Sequence, residues 1–187
     1  MRVVGGKFGG TPLAVPQGRG TRPTSDRTRE ALFSILMARP SLDLDGARIV
    51  DLFAGTGALG LEALSRGAGF CLFVESEAGP RGVIRSNCEA CGVIGLSKIY
   101  RRDATRLGPR PASAGPAFDV VFADPPYGKQ MAEAALRALI EGDWLAPAAL
   151  VIVEEDKRSH FVAPEGYVEH DRRQYGDTEL VFLEVSA

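Results

Sequence analysis

The chain of 187 residues is 45% hydrophobic and 25% charged, with a formal net charge of −2, a composition that suits one core domain of a globular protein. No apolar run is long enough to cross a bilayer and the opening MRVVGGKFGG lacks a signal-peptide hydrophobic region, so a cytoplasmic protein without membrane association is expected. The overall charge argues against a polyanionic partner, but its distribution argues for one.

Residues 1–40 differ in composition from the rest of the chain. Arg2 to Val15 alternates short β-prone pieces with glycines and reads as a small hairpin. Gln17 to Thr21 is a glycine-rich linker. Thr24-Ser25-Asp26 then supplies capping candidates for a helix with Ala31, Leu32, Ile35 and Leu36 on its apolar face, ending at Pro40. Over residues 1–39, Arg2, Lys7, Arg19, Arg22, Arg27, Arg29 and Arg39 face only Asp26 and Glu30, a local charge of +5 that leaves −7 for the remainder. This asymmetry predicts a basic extension, residues 1–40, on a catalytic body, residues 41–187.

From Arg48 the pattern alternates strand and helix. Strands are predicted over Arg48 to Phe53, Phe70 to Val74, Lys98 to Arg102, Phe118 to Ala123 and Leu150 to Val153. Helices are predicted over Ala58 to Arg66, Pro80 to Cys91 and Met131 to Glu141, with a loop over Leu107 to Ala117. The alternation implies an α/β fold, a parallel sheet with helices on both faces. Tyr167 to Tyr175, Gly176-Asp177 and Thr178 to Val185 then read as an antiparallel hairpin. Cys88 and Cys91 form a lone C-x-x-C. With no second pair and no nearby histidine, they read as two buried helical residues, and no metal site is expected.

Asp51-Leu52-Phe53-Ala54-Gly55-Thr56-Gly57 leads from the first body strand into its helix. Glycines there let backbone approach a ligand, and the helix start presents free N–H groups. Gly55, Gly57 and Gly60 also satisfy the dinucleotide pattern G-x-G-x-x-G, and Glu75 suits ribose hydroxyls under either reading. Asp51 separates the two. A carboxylate before the loop suits the cationic amino-acid end of S-adenosylmethionine and repels a pyrophosphate. Asp103, in Arg102-Asp103-Ala104, offers an acceptor for an adenine amino group. Asp51, Glu75 and Asp103 stand at the C-terminal ends of three successive strands, the edge at which open α/β sheets bind ligands.

Asp124-Pro125-Pro126-Tyr127 follows a fourth strand to the same edge. An exocyclic amine is a poor nucleophile because its lone pair is delocalised. Accepting its two N–H bonds, at the Asp124 carboxylate and the Pro125 carbonyl, would aim that lone pair at a methyl donor. The prolines hold the carbonyl rigidly, and Tyr127 offers a face on which a flipped-out base can stack. No cysteine lies nearby to serve methylation at cytosine carbon.

Arg2 to Lys7, Arg22 to Glu30, Asp51 to Ala63, Asp124 to Tyr127 and Trp144-Leu145 together resemble the RsmD family of small-subunit ribosomal RNA guanine-N2 methyltransferases over nearly the whole chain. The arginine-rich N-terminal segment is the specific part, since the loop and tetrad are shared by many methyltransferases. The resemblance implies a Rossmann-like, seven-stranded class I methyltransferase sheet, S-adenosylmethionine as cofactor and one guanine amino group of 16S rRNA as target. The particle would be the 30S subunit or an assembly intermediate, and the enzyme a monomer. Carried over, Asp51, Phe53, Ala54, Gly55, Gly57, Glu75, Asp103, Ala104 and Asp124 line the cofactor site, and Asp124, Pro125, Pro126 and Tyr127 are catalytic. Lys7, Arg22, Arg27 and Arg29 contact RNA, the arginines facing RNA or ordering the N-terminal segment. Glu77 stands where an aspartate is more usual and keeps its charge. Three other readings stay open: an amino-group methyltransferase on DNA adenine or another RNA or protein acceptor, a nicotinamide-dependent oxidoreductase, and a non-catalytic RNA-binding module. The oxidoreductase leaves Asp51 and the tetrad unexplained, and the binding module leaves the cofactor acids unexplained.

Overall fold

Seven strands form one sheet in a computed structural model that describes residues 1–18 and 24–186. They are β1 (Arg48–Leu52), β2 (Phe70–Val74), β3 (Ser97–Tyr100), β4 (Phe118–Ala123), β5 (Leu145–Asp156), β6 (Tyr167–Tyr175) and β7 (Thr178–Val185), in the order β3-β2-β1-β4-β5-β7-β6. The first five run parallel, and β7 is antiparallel to both β5 and β6. The strand order reverses between β1 and β4, so a crevice opens where their C-terminal ends diverge. The helices are α1 (Asp26–Met37), α2 (Ala58–Ser65), α3 (Ala78–Ala90) and α4 (Met131–Glu141), and no helix among the described residues is long and apolar enough to cross a membrane.

Alternation along the strands supplies two cores. Ile49, Phe73, Val120 and Phe122 meet Leu32, Phe33, Leu36, Leu61 and Ile84 of α1, α2 and α3 on one face. Val50, Leu52, Leu72 and Val121 meet Leu136 and Leu139 of α4 on the other, with the buried Trp144. The Trp144 ring stacks on Phe118 at 6.0 Å and its Nε1 donates to Gly108 O at 2.8 Å, which ties the 107–117 loop to the start of β4.

The N-terminal segment shares the first of these cores through Val3 and Leu13. The expected hairpin is held by the Arg2–Pro12 bridge and by Val3 N donating to Thr11 O at 3.0 Å, Gly10 N to Val3 O at 2.8 Å and Leu13 N to Met1 O at 3.0 Å, and other backbone groups of the segment reach helix side chains. Val4 N and Gly5 N donate to the two Glu62 carboxylate oxygens at 2.8 Å, and Phe8 N donates to Ser65 Oγ at 2.9 Å. Asn87 of α3 accepts from Ala14 N at 2.8 Å and donates to Ala14 O at 3.1 Å. Strand β5 is longer than its apolar run, and a register shift opposite β4 lets residues 146–149 bulge before Leu150 resumes pairing. The helix α3 starts at Ala78, two residues before Pro80, and β3 stops at Tyr100. Cys88 and Cys91 are buried free thiols, with burial raising both above the ordinary thiol range.

Candidate active site

The crevice at the switch point is a cavity of about 630 Å³, a size suited to a small-molecule cofactor. Every expected cofactor residue except Gly57 lines it: Asp51, Phe53, Ala54, Gly55, Glu75, Asp103, Ala104 and Asp124. Pro125, Pro126 and Tyr127 line the same cavity.

The loop after β1 is held in an unusual backbone path. Phe53 and Gly55 both have positive φ, 55° and 59°. Gly55 N donates to Glu75 Oε2 at 3.0 Å, and Glu77 N donates to Glu75 Oε1 at 3.0 Å, so Glu75 joins the ends of β1 and β2. Gly57 stands between the lining residues Thr56 and Ala58 without itself lining the cavity, and it caps α2 at φ 78°, where a Cβ would stand 3.2 Å from Phe73 and 3.4 Å from Ile84. Packing and the turn both require glycine at this position.

Asp51 is buried, with Oδ2 accepting from Gly60 N at 3.0 Å. Burial pushes its carboxyl up to about 8 against that hydrogen bond, with the Glu75 charge adding to the rise. Asp103 is exposed and caps a short turn, Oδ1 accepting from Thr105 N at 2.9 Å and Thr105 Oγ1 at 2.7 Å. The lining offers acids of Asp51, Glu75 and Asp103 at one edge and apolar surface from Phe53, Leu59, Val74, Pro80 and Ala104. That combination fits the cationic and ribose ends and the aromatic base of S-adenosylmethionine.

Asp124 is half-buried and Pro125 buried, at the end of β4. Burial, reinforced by the charge of Glu154, pushes the Asp124 carboxyl well above the usual carboxylate range. Thr24 Oγ1 lies 3.2 Å from Asp124 Oδ2 and donates to Glu154 Oε2 at 2.5 Å, and Tyr127 also hydrogen-bonds Glu154. The role of Glu154 was not expected. The three acids ending the apolar run of β5, Glu154-Glu155-Asp156, were the available signal, at the same sheet edge as the others. Thr24 was expected only as a capping candidate; Ser25 is the cap of α1, accepting from Thr28 N at 3.0 Å.

Among the expected RNA contacts, Lys7 and Arg27 are exposed and Arg22 lies outside the described residues. Arg29 is fully buried. It donates to Asp26 Oδ1 at 2.8 Å, to Thr24 O at 3.4 Å and to Arg2 O, and its Nε lies 3.5 Å from Glu62. A guanidinium without exposed surface is not placed to contact RNA; Arg29 orders the N-terminal segment and fixes Thr24 beside Asp124.

Residues 1–184 match the family model described as conserved hypothetical protein 95. The chain is 36% identical over 156 residues to the ribosomal RNA small subunit methyltransferase D of Escherichia coli, covering 83% of this chain and 75% of the relative. It is 34% identical over 168 residues to the protein of the same name from Haemophilus influenzae, covering 89% and 84%. The solved structure of the Escherichia coli protein YhhF superposes with a TM-score of 0.82 at 29% identity, over 99% of this chain and 97% of that one. With sequence, sheet order and cavity in agreement, the chain belongs to the RsmD family of S-adenosylmethionine-dependent methyltransferases.

Proposed function

We propose that this protein methylates the exocyclic N2 amino group of one guanine in 16S ribosomal RNA, acting as a monomer on the 30S subunit or an assembly intermediate. The observation that carries the reading is one cavity in which Asp124 to Tyr127 shares walls with Asp51, Glu75 and Asp103, bordered by Met1, Pro16 and Thr24 of the N-terminal segment.

Asp51, Glu75 and Asp103, with Phe53, Ala54, Gly55 and Ala104, hold the cofactor, which when bound supplies an electrophilic methyl group on a sulfonium. Asp124 and the Pro125 carbonyl accept the two N–H bonds of the guanine amino group, which turns the nitrogen lone pair out of the ring. Tyr127 stacks on the base with its hydroxyl held by Glu154. The nitrogen gives up one proton as it is alkylated; Asp124 Oδ1 takes it while Asp124 Oδ2 passes its own proton through the Thr24 hydroxyl to Glu154. Residues 1–40 form the RNA-facing extension, with Lys7, Arg22 and Arg27 as phosphate contacts.

Deletion of the gene in its own host tests this reading. The prediction is that 16S rRNA loses one N2-methylguanine, restored by the wild-type gene and not by Asp124→Ala. An unchanged complement of N2-methylguanine, with loss of a methyl group elsewhere, contradicts it.

A further inference from the structure

A second cleft, of about 300 Å³, opens beside the cofactor cavity and is lined by Ala78, Arg81, Gly82, Arg85, Ile99 and Arg101. Arg81 and Arg85 stand one turn apart on α3, and Arg101 follows the sheet-edge strand β3. The two hollows share a wall. Arg81 donates to Ser76 O and, at 3.5 Å, to Glu75 O, and Arg102, next to Arg101, lines the cofactor cavity.

Among the described residues no carboxylate stands within ion-pair distance of the arginines of this cleft. Arg29, Arg39, Arg66, Arg158, Arg172 and Arg173 all form ion pairs, whereas Arg81, Arg85 and Arg101 form none among the described residues. Over residues 78–110, Arg81, Arg85, Lys98, Arg101, Arg102, Arg106 and Arg110 outweigh Glu89 and Asp103 by five charges in a chain whose net charge is −2. Clustered guanidiniums without counter-ions repel one another and favour a polyanion, and planar guanidinium donors match phosphate oxygens. This segment and the basic N-terminal segment border the same cavity, the first through Pro80, Arg102 and Asp103 and the second through Met1, Pro16 and Thr24.

We infer that the Arg81–Arg85–Arg101 cleft binds phosphodiesters of the substrate RNA, so that two basic segments hold the strand where it passes the cavity. The inference rests on the reading of RNA as substrate. It does not depend on which RNA or which base is methylated.

The test measures binding of the full-length protein to poly(U) and to a 16S rRNA transcript over a series of salt concentrations. It compares wild type, the double variant Arg85→Ala/Arg101→Ala, and Arg137→Ala on α4 as a control arginine. Arg81 is kept because it also holds the Glu75–Ser76 turn. The double variant should flatten the slope of log K against log salt by about 1.4 units on poly(U), the loss of two single-strand phosphate contacts. At about 0.1 M salt its affinity should fall roughly tenfold, with cofactor affinity and melting temperature unchanged and the control like wild type. An unchanged slope in the double variant, or an equal change in the control, overturns the cleft. Absence of RNA binding by wild type overturns it too. A flattened slope on poly(U) with no methylation of 16S rRNA by wild type supports the cleft and contradicts only the proposed substrate.

Discussion

The Thr24 hydroxyl lies 2.5 Å from Glu154 Oε2 and 3.2 Å from Asp124 Oδ2, so one residue of the N-terminal segment bridges the ends of β4 and β5. A hydroxyl has one proton to donate. Given to Glu154, the nearer acceptor, it leaves the Thr24 oxygen to accept from Asp124, and the two carboxyls then hold one proton between them. Burial raises both acids, and the charges facing them are Asp51 on β1, Arg29 on α1 and Glu155 on β5. With its proton turned toward Thr24, Asp124 keeps Oδ1 free as a fixed acceptor, the role proposed for it toward the substrate amino group. Thr24→Val should therefore lower kcat about 100-fold with cofactor affinity within about threefold of wild type. Thr24→Ser should restore turnover, and Glu154→Gln should shift the pH profile of kcat. Wild-type turnover and pH profile in Thr24→Val would remove the bridge from the reaction.

Arg27 and Arg29, two residues apart, should separate RNA contact from folding. Arg29→Met leaves the buried Glu62 with Arg66 as its remaining cationic partner and should cost about 3 kcal/mol in chemical denaturation. Arg27→Ala removes an exposed side chain and should change stability by less than about 0.5 kcal/mol while flattening the salt dependence of RNA binding by about 0.7 units. Equal stability losses in the two variants would contradict the assignment.

Stability without cofactor should fall as pH rises from about 4.5 to 8. Burial pushes Asp51 up to about 8 from 3.8 and Glu155 up to about 7 from 4.5. An acid with a raised folded-state pKa keeps its proton in the folded chain after the unfolded chain has released it. The folded state thus binds more protons across that window and loses stability as pH rises. Glu155 Oε2 and Glu133 Oε2 are buried without hydrogen-bond partners among the described residues, and the Glu133 charge adds to the rise at Glu155. Asp51→Asn keeps an acceptor for Gly60 N and should stabilise the cofactor-free protein at pH 8 by on the order of 2 kcal/mol, while weakening cofactor binding. Thermal melts at pH 5.5 and 8 would show it. A melting temperature in Asp51→Asn with the pH dependence of wild type contradicts it.

Gly60 of α2 and Gly55 of the preceding loop should fail for different reasons. A Cβ at Gly60 would stand 2.5 Å from both Cys71 Sγ and Phe73 Cε1, so Gly60→Ala should cost about 1–3 kcal/mol by overpacking α2 against β2. At Gly55 nothing lies nearer than Phe53 O at 3.8 Å, but φ is 59°. Gly55→Ala should cost only about 1 kcal/mol, with the larger effect on cofactor affinity. Calorimetry of both variants checks the order.

Elements with strong periodicity were legible in the sequence. Phe70–Val74, Phe118–Ala123, Met131–Glu141 and the β6–β7 hairpin lie where their patterns put them. The cavity acids were legible because each stands at or just beyond the C-terminal end of a strand, which brings Asp51, Glu75, Asp103 and Asp124 to one edge. What was not legible depends on distant partners. Nothing local to Arg2–Val15 says that Glu62, Ser65 and Asn87 take the hydrogen bonds of Val4, Gly5, Phe8 and Ala14 and dock the hairpin on α2 and α3. Arg29 looks like Arg27 in sequence, and only the packing of α1 on α2 buries it against Glu62. Arg81, Arg85 and Arg101 are scattered across a helix and a strand end, and the fold alone gathers them around one cleft.

The most direct measurement is methyl transfer from labelled S-adenosylmethionine to unmodified 30S subunits and to free 16S rRNA, followed by nucleoside analysis, with Asp124→Ala alongside. The account predicts labelled N2-methylguanosine from the wild type and a loss of at least about 100-fold in the variant, with cofactor binding weakened less. Label in another nucleoside, or near-normal turnover by Asp124→Ala, would contradict it.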